Sequence, residues 1–100
     1  MADAHEPLTI GPTDRLRLRP CATRRLGTDL LVSIDGAAGP VERLTGLGPE
    51  LWSYFGAGFT VAEAAARVAE RAGTPAASVE SHVLDYAEAL VRAGMAEREP

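Results

Sequence analysis

Between positions 15 and 19 the chain alternates strictly, Arg15, Arg17 and Arg19 against Leu16 and Leu18. Successive side chains of an extended chain point to opposite faces, so this alternation predicts a half-buried strand. Pro20 has no N–H to give a ladder and interrupts it, and residues 24–26 resume the extended pattern. Asp29–Ile34, Asp-Leu-Leu-Val-Ser-Ile, is rich in residues that suit a pleated surface and predicts a second strand. The run Asp-Gly-Ala-Ala-Gly-Pro at 35–40 is a turn signal. A short third strand, Val41–Leu44, follows it. Three short strands in succession predict an antiparallel meander.

After Thr45 the apolar period lengthens to that of a helix. Gly48-Pro49-Glu50 reads as a helix start, since proline is pre-set for the first helical position. Leu51, Trp52 and Phe55 share one face of this helix, and Gly56-Ala57-Gly58 ends it. Trp52 is expected in the core and Tyr54 partly exposed. Thr60-Val61-Ala62-Glu63 matches a capping box, in which Thr and Glu satisfy each other's free backbone N–H groups. The second helix runs to about Ala72, burying Val61, Ala64, Ala65, Val68 and Ala72, and Gly73 closes it. Thr74-Pro75 starts a third helix that Gly94 caps. Its core stripe is Val79, Val83, Tyr86 and Leu90. Met95 and Ala96 return to the core as a brief extended segment. The expected fold class is α+β, a three-stranded antiparallel β-sheet followed by three α-helices, winged helix-turn-helix-like. Residues 1–13 are expected to form a flexible tail and 14–97 one folded domain.

Composition narrows the function. A chain of 100 residues with 46% hydrophobic content supports one core, kept thin by only 5% aromatic residues. The net charge of −4 argues against nucleic acid or an anionic membrane as partner. No apolar run approaches a membrane span, and the first dozen residues lack the layout of a signal peptide, so a soluble cytoplasmic protein is expected. Cys21 is the only cysteine, which rules out an internal disulfide, and His5 and His82 have no accompanying ligand pattern. No carboxylate pair, metal-ligand spacing, phosphate-cradling loop or Ser/His/Asp arrangement is found, so neither catalysis nor a cofactor is expected.

With these residues in this order, the chain resembles the PqqD-like family, the RiPP recognition elements. The resemblance centres on Arg43-Leu44-Thr45-Gly46-Leu47-Gly48-Pro49-Glu50-Leu51-Trp52, similar to the family's strand-to-helix junction with its Ile-Trp or Leu-Trp pair. It continues through Thr60-Val61-Ala62-Glu63-Ala64-Ala65 and ends with Val83, Tyr86, Leu90 and Gly94-Met95, spaced like the family's Val, Phe, Leu and Gly-Leu. It covers residues 15 to 97. It departs at Gly39-Pro40-Val41, where the family often has an aromatic residue, and at His82, where aspartate is common.

The resemblance implies a non-catalytic peptide chaperone. It would hold the leader of a ribosomally made precursor peptide against the third strand and present it to a separate modifying enzyme, such as a radical SAM enzyme, a protease or another maturase. Lasso-peptide and PQQ-like pathways are both compatible with it. An exposed strand edge is a template for a foreign strand, with side-chain pockets adding selectivity. The expected binding residues are Val41, Glu42, Arg43 and Leu44 on the strand. Across the groove, on the third helix, they are Glu80, Ser81, Leu84, Asp85, Ala87, Glu88 and Val91. Leu84 and Val91 form an apolar strip beside the core stripe, with Ala87 between. A rival reading is a winged-helix DNA-binding protein or regulator. It is disfavoured because the third helix carries Glu80, Asp85 and Glu88 against Arg92, and DNA affinity rests on cations.

Overall fold

The structure is a computed structural model that describes residues 10–19, 21–34 and 41–99, apart from the side chains of Cys21 and Ile34. The predicted turn at 35–40, Pro20, His5 and the environment of Cys21 lie outside the described residues. The element order is β1 (Leu16–Leu18), β2 (Cys21–Leu26), β3 (Asp29–Ile34), β4 (Val41–Leu44), α1 (Gly48–Gly56), α2 (Val61–Ala72), α3 (Ala77–Arg92) and β5 (Ala96–Arg98).

The fold is α+β, with a three-stranded antiparallel sheet in the order β2-β3-β4 and three helices after it. The meander differs from expectation in its first strand. The alternating residues 16–18 leave the meander and pair instead with β5, Leu16 opposite Arg98 and Leu18 opposite Ala96. The meander begins with β2, which joins β3 across a two-residue turn, Leu26 facing Asp29. Local alternation announces a strand but not its partner, and β5 comes from the far end of the chain. Met95 and Ala96 are buried, so this returning segment closes the core as expected.

On the meander's inner face Leu30, Val32 and Leu44 are buried against the helices. They join Leu16, Leu51, Trp52, Phe55, Val61, Val68, Val83 and Leu90 in one core. Each such fully buried side chain stabilises by roughly 1.5–3 kcal/mol. The expected face of α1 is buried, Trp52 included, and Tyr54 is half-buried. On α2 the buried set is Val61, Ala64, Ala65, Val68 and Ala69, whereas Ala72 is exposed. The last inward position is thus Ala69, three residues before the end of the helix.

The capping box is present in full: Glu63 N–H donates to Thr60 Oγ1 at 3.1 Å, and Thr60 N–H to Glu63 Oε1 at 2.8 Å. Two further N–H groups at this helix start are taken by the chain preceding β1. Val61 donates to the Asp14 carbonyl at 3.0 Å and Ala62 to the Pro12 carbonyl at 2.8 Å. Ile10 is only 4% exposed and belongs to the core. Within residues 10–13, then, Ile10 packs in the core and Pro12 supplies one of the acceptors at the start of α2.

Candidate functional site

The meander leaves one side of β4 without a neighbouring strand among the described residues. In an antiparallel ladder alternate residues turn both N–H and C=O away from their partner. Val41 pairs with Ser33, Glu42 with Val32, Arg43 with Leu31 and Leu44 with Leu30. Glu42 and Leu44 therefore share the inner face with Val32 and Leu30, while Val41 and Arg43 share the outer face with Ser33, Leu31 and Asp29. Arg43 is held on that outer face by Asp29, Nε to Oδ2 at 2.8 Å and Nη2 to Oδ2 at 2.6 Å. Glu42 is exposed.

Where β4 ends, the chain turns sharply through Gly46, whose φ of +58° favours glycine, and enters α1. Gly48 then lies against α3. A Cβ there would stand 3.0 Å from the Tyr86 hydroxyl and 3.1 Å from Leu44 Cβ, so only a residue without a side chain lets α3 come this close. The Tyr86 hydroxyl donates to the Gly48 carbonyl at 3.3 Å. Burial pushes the Tyr86 phenol up to about 12, so it stays a neutral donor in ordinary buffers.

Beside this contact is a cavity of about 230 Å³ lined by Thr45, Leu47, Gly48 and Leu51 from the β4–α1 side and by Val79, His82, Val83 and Tyr86 from α3. The wall is mainly apolar, with Leu47 at 41% exposure among its lining residues. The volume is below the roughly 300–1,000 Å³ typical of small-molecule sites, and it suits one or two side chains of a larger partner. A wider hollow of about 450 Å³ lies on the outer face of the meander, lined by Ala22, Thr23, Arg24, Leu31, Ser33 and Val41. Val41 is 59% exposed there.

The cavity joins α3 to the turn after β4, and none of Val41, Glu42, Arg43 and Leu44 lines it. None of Glu80, Ser81, Leu84, Asp85, Ala87, Glu88 and Val91 lines the cavity. Ala87 is sealed in the core at 0% exposure. Leu84 and Val91 are half-buried and pack against the core. Ser81 and Asp85 are exposed, Glu80 is half-buried, and Glu88 faces Arg92 at 3.7 Å. The physical reason is one of phase. The buried ridge of α3 is Val83, Ala87 and Leu90, rotated from the expected 79-83-86-90 stripe. At about 100° per residue, Leu84 and Val91 then fall to one side of the ridge and Val79, His82 and Tyr86 to the other. The second flank is the one that lines the cavity, across from Thr45, Leu47, Gly48 and Leu51. Val79 and Tyr86 are half-buried cavity walls, and His82, which showed no pattern in sequence, is beside them. The signal available was Tyr86: a large residue with a polar tip, three positions from Val83, set opposite a glycine.

Away from the groove, α1 and α2 are cross-linked by Arg71, whose Nε donates to Glu50 Oε2 at 3.0 Å and whose Nη2 donates to Oε1. Tyr54 donates its hydroxyl to Glu50 Oε2 at 2.7 Å. The Arg71 hydrogen bond, aided by Tyr54, holds the Glu50 carboxyl below its ordinary value, and the same contact raises the Tyr54 phenol. Tyr54 stacks on Phe59 with ring centroids 5.4 Å apart, and Arg67 lies 5.2 Å from the Phe59 ring centroid. The arginines of the strand region have several roles. Arg15 donates to the Gly58 carbonyl, Arg17 meets Glu97, and Arg24 and Arg25 are exposed on β2.

Among the described residues no group of His, Cys, Asp and Glu could hold a metal ion. No helix among them is long and apolar enough to cross a membrane. The single cation of α3, Arg92, is engaged by Glu88, which leaves that helix poorly suited to phosphate. No family model, curated protein or solved structure matches the chain significantly.

Proposed function

We propose that this chain is a non-catalytic peptide-binding domain that takes an extended segment onto the free edge of β4. The observation that carries this reading is a strand edge with no neighbouring strand among the described residues, followed by an apolar cavity sized for side chains. A four-residue strand with alternate residues facing outward offers about four backbone hydrogen bonds, each worth about 1 kcal/mol. Association costs at least about 4 kcal/mol, so backbone pairing alone gives negligible affinity. The added affinity comes from apolar side chains, for which the cavity stands past the Leu44 end of β4 and Leu31 and Val41 on its outer face. The resemblance to PqqD-like domains supports the same mode. It makes the segment the leader of a ribosomally synthesised precursor, handed to a separate modifying enzyme in lasso peptide-like or PQQ-like biosynthesis.

The test is titration of the isotope-labelled domain with the leader peptide encoded beside it, followed by amide shifts. Micromolar or tighter binding that moves the amides of Val41 to Thr45 and of Val79 to Tyr86 is expected. No shift at millimolar peptide rejects the reading.

A further inference from the structure

The charges on β4 restrict what can occupy its edge. Arg43 is already compensated by Asp29, whereas Glu42 has no ion-pair partner among the described residues. The edge therefore presents one uncompensated charge, a carboxylate, on the inner face.

A second copy of the chain is a poor occupant. Two identical strands pairing antiparallel about a two-fold axis must place residues of the same face opposite each other. The registers that overlap most of β4 are then centred on Glu42 or on Arg43. The first sets Glu42 against its own copy, and like charges directly opposite are destabilising, while the second sets the Glu42 carboxylate opposite the apolar Leu44, with no cation to meet it. The sheet's other edge, β2, carries Arg24 and Arg25 at consecutive positions, one toward each face, a guard of the kind that keeps edges from self-pairing.

A foreign strand meets neither obstacle. Its residue opposite Glu42 shares the inner face with the residue two positions along, opposite Leu44. Leu44 is buried next to Gly48, and Thr45 and Gly48 form part of the cavity wall. We infer that the preferred occupant is an extended peptide segment carrying lysine or arginine two residues from a large apolar side chain. The cation meets Glu42 and the apolar group fills the cavity. This rests on the strand-addition reading and adds a selection rule to it.

The probes are a capped, threonine-rich peptide with leucine and lysine two residues apart, a twin with glutamate replacing the lysine, and a twin with alanine replacing the leucine. Dissociation constants are read from the amide shifts of Val41 to Thr45. The leucine–lysine peptide should bind best. The glutamate twin should be weaker by about fivefold, the size of exchanging an attractive for a repulsive cross-strand pair. The Glu42→Lys domain should reverse that order. The alanine twin should lose most of the affinity. Equal binding of lysine and glutamate peptides at β4 would overturn the selection rule while leaving strand addition intact. Shifts from none of the peptides at millimolar concentration would remove both. A dimer in sedimentation equilibrium whose formation shifts the amides of Val41 to Thr45 would show that the edge prefers its own copy, and would also overturn the rule.

Discussion

Gly48→Ala tests the contact on which the cavity depends. The added methyl would lie 3.0 Å from the Tyr86 hydroxyl and 3.1 Å from Leu44 Cβ, closer than nearly all real Cβ contacts. Leu44 is anchored in a paired strand and 7% exposed, so it has little room to retreat. Tyr86 must give instead, and its 3.3 Å hydrogen bond to the Gly48 carbonyl is lost with it. Overpacking of this kind costs about 1–3 kcal/mol. Alanine recovers up to about 0.5–1 kcal/mol of backbone entropy relative to glycine. The expected net loss is about 1 kcal/mol, or roughly 4–8 °C in Tm for a domain of this size. Urea denaturation of the wild type, Gly48→Ala, Tyr86→Phe and the double variant closes a cycle. Removing the hydroxyl should recover part of the loss, with a coupling of at least about 0.5 kcal/mol. A Gly48→Ala protein as stable as the wild type, or strictly additive effects, would refute the close approach.

Three further outcomes follow from the same geometry. Glu50 and Glu63 both have carboxyls below their ordinary value, Glu50 through Arg71 and Glu63 through the Thr60 N–H. Depressed carboxyls contribute stability above their unfolded pKa that is lost as pH falls through the folded values. Stability should therefore drop below about pH 4.5, and more shallowly in Glu50→Gln, as read by denaturation midpoints across pH. Tyr86, raised to about 12 by burial, follows the opposite sign: its contribution is complete below pH 10 and disappears as pH rises toward 12. Spectrophotometric titration should show neither tyrosine ionising at its ordinary pH, with Tyr54 released earlier in Glu50→Gln. Finally, Val79→Ala should weaken peptide binding more than it destabilises the fold, whereas Leu84→Ala should cost stability by about 1–2 kcal/mol with little effect on binding. Calorimetric titration beside thermal melts checks the pair.

Local rules carried far along this chain. Alternation at 16–18 and 29–34, the proline-led start of α1, the Thr60–Glu63 box and the glycines after α2 and α3 each act within a few residues, so spacing alone announces them. The class, a short antiparallel sheet followed by three helices, comes from their order. Partnership was decided elsewhere. Whether residues 16–18 pair with the next strand or with the chain's last one depends on where α3 delivers Ala96–Arg98. The acceptors at Pro12 and Asp14 serve a helix nearly fifty residues away, and nothing in residues 10–13 alone signals that use. The groove wall is the sharpest case. Apolar positions mark the core stripe of α3 but not which of its two flanks faces the β4–α1 turn, and the cavity wall takes Val79, His82 and Tyr86 rather than Leu84 and Val91 from across the ridge. Only the tertiary structure brings Gly48 against Tyr86, where the missing side chain leaves room for the phenol beside α1.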